Sequence, residues 1–208
     1  MLITGRRGAG GSAGRPGSVR RVDPLTELAR QAAAGDQAAW ARLIRATYAD
    51  IWRLCAHLVD RQSADDLTQE TYLRAVRKLR RFRGDGSLRA WLFTIARRSC
   101  AAEIGTRQGR RDRAIDFGMA GLPHTGTQLP DHASAVELQL VLQTLPAARR
   151  EAFVLTQILG CSYDEAAAIC ECPVGTIRSR VARARDDLVT ALADPRAAEG
   201  DQVRDRLG

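Results

Sequence analysis

Three groups of side chains could do chemistry. The first is the run Asp65, Asp66 and Glu70 in ADDLTQE, carboxylates spaced to share a helix face. Carboxylates so placed could hold a divalent cation. A metal site inside a helical bundle draws matching ligands from a second helix. No histidine or further acid recurs at that spacing elsewhere. The second group is Cys161, Cys170 and Cys172. Structural zinc takes four ligands, and the nearest further donor, His132, is distant in sequence. Small thiols at a helix end are more simply core residues, and five cysteines without an export signal read as reduced thiols. The third is the glycine-rich start MLITGRRGAGG, which has no Gly-Lys-Ser/Thr sequel and no strand-to-helix setting for a phosphate loop. Neither an enzyme, nor a metal, nor a cofactor is expected.

What stands out instead is where the cations lie. The 208-residue chain has a formal charge of +8, and Lys78 is its one lysine among 32 basic residues. Residues 1–21 carry +5, residues 74–113 carry +10 and residues 173–185 carry +4, which leaves about −11 for the rest. A solvated helix face usually mixes its signs. Same-sign blocks within folded segments fit a polyanion, nucleic acid first. No run approaches the ~18 apolar residues of a membrane span, so no membrane partner is expected.

The elements that must carry these groups read as all-α: two helical domains joined by a flexible linker. Residues 1–22 and 196–208 lack periodicity and read as tails. Asp23-Pro24 opens a first helix that stops at Gly35. Trp40, Leu43, Ile44, Tyr48, Ile51 and Trp52 mark the apolar face of a second helix, over about 36–57. Ser63 is placed to cap a third over 64–80, with Leu67, Leu73, Val76 and Leu79 as its apolar residues. A fourth, over about 88–104, turns Trp91, Leu92, Ile95 and Ala96 inward. These make a first domain over 23–104. The glycines and prolines of 105–132 read as linker. The second domain, over 133–195, has the stripe Leu138, Val141, Leu142 and Leu145, then a helix from Pro146 to Gly160. Ser162-Tyr163-Asp164-Glu165 is a capping box for a short helix ending at Cys170, and a longer helix starts at Pro173.

The last two helices form a helix-turn-helix pattern. Ala166 and Ile169 face Ile177 and Val181, and Cys170 sits where the tight turn needs a small residue. The opposite face then presents Thr176, Arg178, Ser179, Ala182 and Arg183, which can reach phosphates and base edges. A helical hairpin with a solvated basic face has the same spacing.

Three segments in order carry a resemblance. PVGTIRSRVAR (173–183) resembles the region 4 recognition helix of extracytoplasmic-function sigma factors, members of the sigma-70 family, with an ending of the actinobacterial type. ADDLTQETYLRAVRKLRRF (64–82) resembles their region 2.2, and LRAWLFTIARR (88–98) their regions 2.3 and 2.4. The chain departs from the family at Arg98, where asparagine is common. The resemblance implies that Asp65, Asp66, Gln69, Glu70 and Thr71 dock on the β′ clamp coiled coil of core RNA polymerase. An acidic first turn favoured by the helix dipole is the plainer reading. It implies that Arg80, Arg81, Phe82, Arg83, Ser87 and Arg89 hold the opened −10 strand of promoter DNA, where unstacked bases and backbone need capture, and that Arg97 and Arg98 touch adjacent duplex. Trp91 could stack on a base, but its place beside Ile95 favours the core. Thr176, Arg178, Ser179, Ala182 and Arg183 would read the −35 element, with the apolar surface of region 4 on the β-flap.

The implied function is promoter-specific initiation with core polymerase, in the cytoplasm, with an anti-sigma protein as a further partner. The alternative is a stand-alone helix-turn-helix regulator. Such a regulator has no use for an acidic helical turn beside a +10 block.

Overall fold

The computed structural model describes residues 23–82, 86–116 and 133–193. Among them every regular element is helical. Helices α1 (Pro24–Ala33), α2 (Gln37–Leu58), α3 (Arg61–Lys78) and α4 (Leu88–Asp116) form the first unit. A 3₁₀ turn, Leu79–Arg81, ends α3. Helices α5 (Ala133–Gln143), α6 (Ala147–Phe153), α7 (Tyr163–Cys170) and α8 (Val174–Ala193) form the second.

The helix starts follow from local chemistry. Asp23 Oδ1 accepts from Leu25 N–H, with Pro24 in the first turn. Gly35, at φ +103°, supplies the left-handed residue between α1 and α2. Asp36 caps α2 by accepting from Ala38 and Ala39. The cap of α3 is Asp60 rather than Ser63: its Oδ1 takes the Ser63 N–H at 2.7 Å, and α3 begins three residues earlier than the sequence suggested. Helix α6 continues into a π-helical stretch, Val154–Ile158, and ends at Gly160 with φ +67°.

Two sequence expectations are corrected by packing. The buried stripe of α2 is Leu43, Thr47, Ile51, Leu54, Cys55 and Leu58, and Tyr48 lies outside it, 38% exposed. Thr47 can enter because its hydroxyl bonds Leu43 O and Tyr72 Oη, each at 2.8 Å. In α3 the buried side is Ala64, Leu67, Thr68, Thr71, Tyr72 and Ala75, while Leu73 and Val76 are 54% and 48% exposed. The side of α3 that holds Leu67 and Tyr72 faces the core, and the threonines beside them are buried with it.

Residues 105–116, expected to be linker, extend α4 by three turns. Arg107 anchors the extension. It donates to Asp60 Oδ2 at 2.5 Å, to Glu103 Oε1 at 2.7 Å and to Ser63 Oγ. The bonds to Asp60 and Ser63 are tertiary, and they hold a stretch whose Gly105 and Gly109 have weak helix propensity. The tails, the remainder of the linker and residues 83–85 lie outside the described residues.

In the second unit Ala166 and Ile169 of α7 pack on Ile177 and Val181 of α8, all at 1% exposure or less. The capping box is formed on both sides: Glu165 N–H donates to Ser162 Oγ, and Ser162 N–H to Glu165 Oε2. The left-handed residue of the turn is Glu171 (φ 54°, ψ 44°), not Cys170, which ends α7 with its thiol buried. Replacing Ser162 by alanine is expected to lower stability by about 1 kcal/mol. Thermal unfolding of the full chain checks this, and an unchanged midpoint would contradict it.

Candidate nucleic-acid interface

The outer side of α3 presents Asp65, Asp66 and Gln69 to solvent, with Glu70 half-buried. Tyr48 Oη donates to Asp65 Oδ1 at 2.9 Å, and Arg74 pairs with Glu70 at 2.6 Å. Exposed Leu73 and Val76 continue this side toward the 3₁₀ turn. Thr71 does not join it. It is fully buried, its hydroxyl bonded to Leu67 O at 2.7 Å, and it supports the face from beneath. The contribution of Tyr48 was missed because its side chain comes from another helix, and its spacing on α2 reads as core.

The expected −10 residues divide into two sets. Arg80 and Arg81 are exposed on the 3₁₀ turn. Phe82 is half-buried with its ring 5.3 Å from that of Trp91, and Trp91 itself packs against the core. Ser87 sits at the start of α4, its oxygen atoms accepting from Ala90 and Trp91. Arg83 lies outside the described residues.

The second set meets the second unit, with Arg89 and Arg97 half-buried and Arg98 exposed. Helix α7 packs on α4, while α5 and α6 pack on α2. Arg89 donates to Asp50 Oδ2 at 2.8 Å and to the carbonyl of Leu159 at 2.5 Å, with its guanidinium 4.7 Å over Phe93. Arg97 donates to Glu151 Oε1 at 2.5 Å, and Arg98 to Glu171 Oε1 at 2.8 Å. Arg98 holds the Glu171 carboxyl below the ordinary carboxylate range. A further polar tie crosses the same seam. Gln139 Nε2 donates to Ala56 O at 2.7 Å, so its Oε1 is left to accept from His57 Nδ1 at 2.8 Å. Burial keeps this imidazole below the usual histidine value.

On α8, Ile177, Val181, Ala184 and Leu188 form the buried stripe. Arg178, Ser179, Ala182 and Arg183 are exposed on the other side, and Thr176 is half-buried at its edge. Ser179 Oγ bonds back to Thr176 O at 3.0 Å. The helix therefore offers two free-standing guanidinium groups flanking a shallow surface of small residues, a form that fits a DNA groove.

The cysteines are all unbridged: Cys55, Cys100, Cys161 and Cys170 are buried and Cys172 is half-buried. Burial pushes the Cys170 thiol up to about 12 and the Cys161 thiol to about 11, so neither is a ready thiolate. Among the described residues no three His, Cys, Asp or Glu side chains converge to hold a metal ion.

Residues 37–110 match the family model for sigma-70 region 2, and residues 135–188 match that for sigma-70 region 4. The ECF RNA polymerase sigma factor SigC of Mycobacterium tuberculosis is 45% identical over 181 residues, covering 83% of this chain and 93% of that protein. This chain belongs to the extracytoplasmic-function sigma factors. Solved structures agree. The sigma factor RpoE of Bartonella quintana, crystallised with the anti-sigma factor NepR, aligns with a TM-score of 0.62 at 30% identity, over 74% of this chain and 96% of that one. CnrH in complex with the cytosolic domain of CnrY aligns at 0.61 and 28% identity, over 80% of this chain and 96% of that one. In these terms α2–α4 carry region 2 and α5–α8 carry region 4. The seam bridged by Arg97, Arg98 and Gln139 is the contact between the two regions. No helix among the described residues is long and apolar enough to cross a membrane.

Proposed function

We propose that this sigma factor binds core RNA polymerase through the outer side of α3 and directs initiation at promoters carrying −10 and −35 elements. The observation that carries the reading is the distribution of charge. The start of the outer side of α3 is acidic (Asp65, Asp66, Gln69 and Glu70, with Tyr48 bonded to Asp65), while exposed arginines lie on the 3₁₀ turn and on α8. A stand-alone regulator accounts for α8 but not for that acidic surface. The work is done in the cytoplasm with polymerase. The catalysis is the polymerase's, while this chain supplies recognition and strand capture.

In the free chain Arg97, Arg98 and Arg89 are occupied by region 4 groups and by Asp50. Engagement of the −10 element therefore follows separation of the two regions, which core polymerase would provide by binding them at distant points. Since the similar solved sigma factors are held by partner proteins named in their complexes, an anti-sigma protein is a natural competitor for the same surfaces.

Run-off transcription with core polymerase on a promoter library tests the function, and absence of any promoter-dependent product would refute it. Asp66→Arg is expected to weaken capture of core enzyme, since it sets a cation in a face meant for cations. Pull-down by the variant equal to wild type would remove Asp66 from the interface.

A further inference from the structure

We propose that Gly175 is the position at which promoter DNA comes closest to the recognition helix, its missing side chain leaving room for the −35 groove wall. The inference rests on reading α8 as the −35 helix.

Glycine is the poorest helix former after proline, and Gly175 stands in the first turn of α8. Gly35 and Gly160 are needed by the backbone, since both hold positive φ. Gly175 does not, and a Cβ built on it meets no atom within 4 Å. Neither the backbone nor the packing of this protein asks for glycine there. Its surroundings point outward instead. At ~100° per residue, Gly175, Ser179 and Ala182 all lie within ~50° of the direction opposite the buried Ile177–Val181–Ala184–Leu188 stripe. Arg178 and Arg183 stand on either side of them. Two cations flanking a surface without large side chains would draw the phosphates in and let the helix axis approach the bases. An added methyl in the first turn of α8, the end of a recognition helix that meets the bases, would hold the axis off, and the arginines behind it would lose their reach. Gly105 is the internal comparison. It too is helical, exposed, and without neighbours for a Cβ, but it lies in the α4 extension, far in sequence from α8.

The test uses holoenzyme reconstituted from full-length chain and core polymerase. Templates are a promoter with its −35 element and a pre-opened −10 template without one. Gly175→Ala is expected to reduce transcription from the first by about tenfold, the scale of one lost base contact, and to leave the second unchanged. Gly175→Val should lose more, and Gly105→Ala should match wild type on both. The thermal midpoint of Gly175→Ala should equal or exceed that of wild type, which separates lost approach from lost folding. Gly175→Ala within twofold of wild type on the −35 template would overturn the inference. Arg178→Ala, run in parallel, tells which reading failed. If Arg178→Ala loses activity while Gly175→Ala does not, only the Gly175 inference falls. If neither loses it, the −35 assignment of α8 falls with it.

Discussion

Holoenzyme carrying Arg178→Ala or Arg183→Ala is expected to lose discrimination at one −35 base pair by ~5- to 150-fold, with other positions read as before. The physical basis is the packing of α8. Ile177 and Val181 are at most 1% exposed, which fixes the helix rotation and leaves both guanidinium groups outside. A guanidinium that donates twice to guanine O6 and N7 is worth about 1–3 kcal/mol against the wrong base, and that energy is the quoted range. A guanidinium that only meets phosphate acts differently. Its loss weakens every sequence alike and lowers the salt slope by about one. Transcription from a panel of −35 variants separates the two. Equal losses across the panel would refute base reading by these arginines and move specificity to Thr176, Ser179 or DNA shape.

The paired change Glu151→Gln with Glu171→Gln is expected to raise the free chain's affinity for a −10 fragment that includes its adjacent duplex by ~5- to 30-fold. These carboxylates neutralise Arg97 and Arg98 across the contact between the regions. The Arg97–Glu151 pair is the stronger, its side chains only 25% and 16% exposed. Arg98 and Glu171 are each 57% exposed, so water screens that pair and its share is small. Removing both should loosen the contact by about 1–2 kcal/mol, mostly from leaving Arg97 half-buried without its partner. Apparent affinity is the intrinsic affinity reduced by the fraction of open molecules, so a larger open fraction appears directly as tighter binding. Holoenzyme should be indifferent to the change if, as proposed, polymerase holds the regions apart. Fluorescence titration of a labelled −10 fragment with its adjacent duplex makes the measurement. Unchanged affinity of the double variant would mean that the contact does not gate these arginines.

Much of this protein is legible in one dimension because its determinants are local. Helix caps need only neighbours: Asp23-Pro24, the Ser162–Glu165 box and Gly160 all act where their spacing placed them. The core pairs Ala166 and Ile169 with Ile177 and Val181 follow from the helical period alone, and the outward set on α8 follows from them by exclusion. The three family segments stand in order along the chain for the same reason, and the two family models cover them. What depends on tertiary packing was not legible. Thr71 reads as a surface polar residue until the core closes over it, its hydroxyl on Leu67 O one turn back. Leu73 and Val76 read as core, but the fold buries the side of α3 that holds Leu67 and Tyr72. Residues 105–116 read as linker because propensity sees two glycines and cannot see Asp60 and Ser63 waiting for Arg107. Arg97 and Arg98 read as free cations, since their counter-charges, Glu151 and Glu171, lie more than fifty residues away. Sequence period reports which face of a helix is apolar. Only the assembled fold decides which polar groups meet across it.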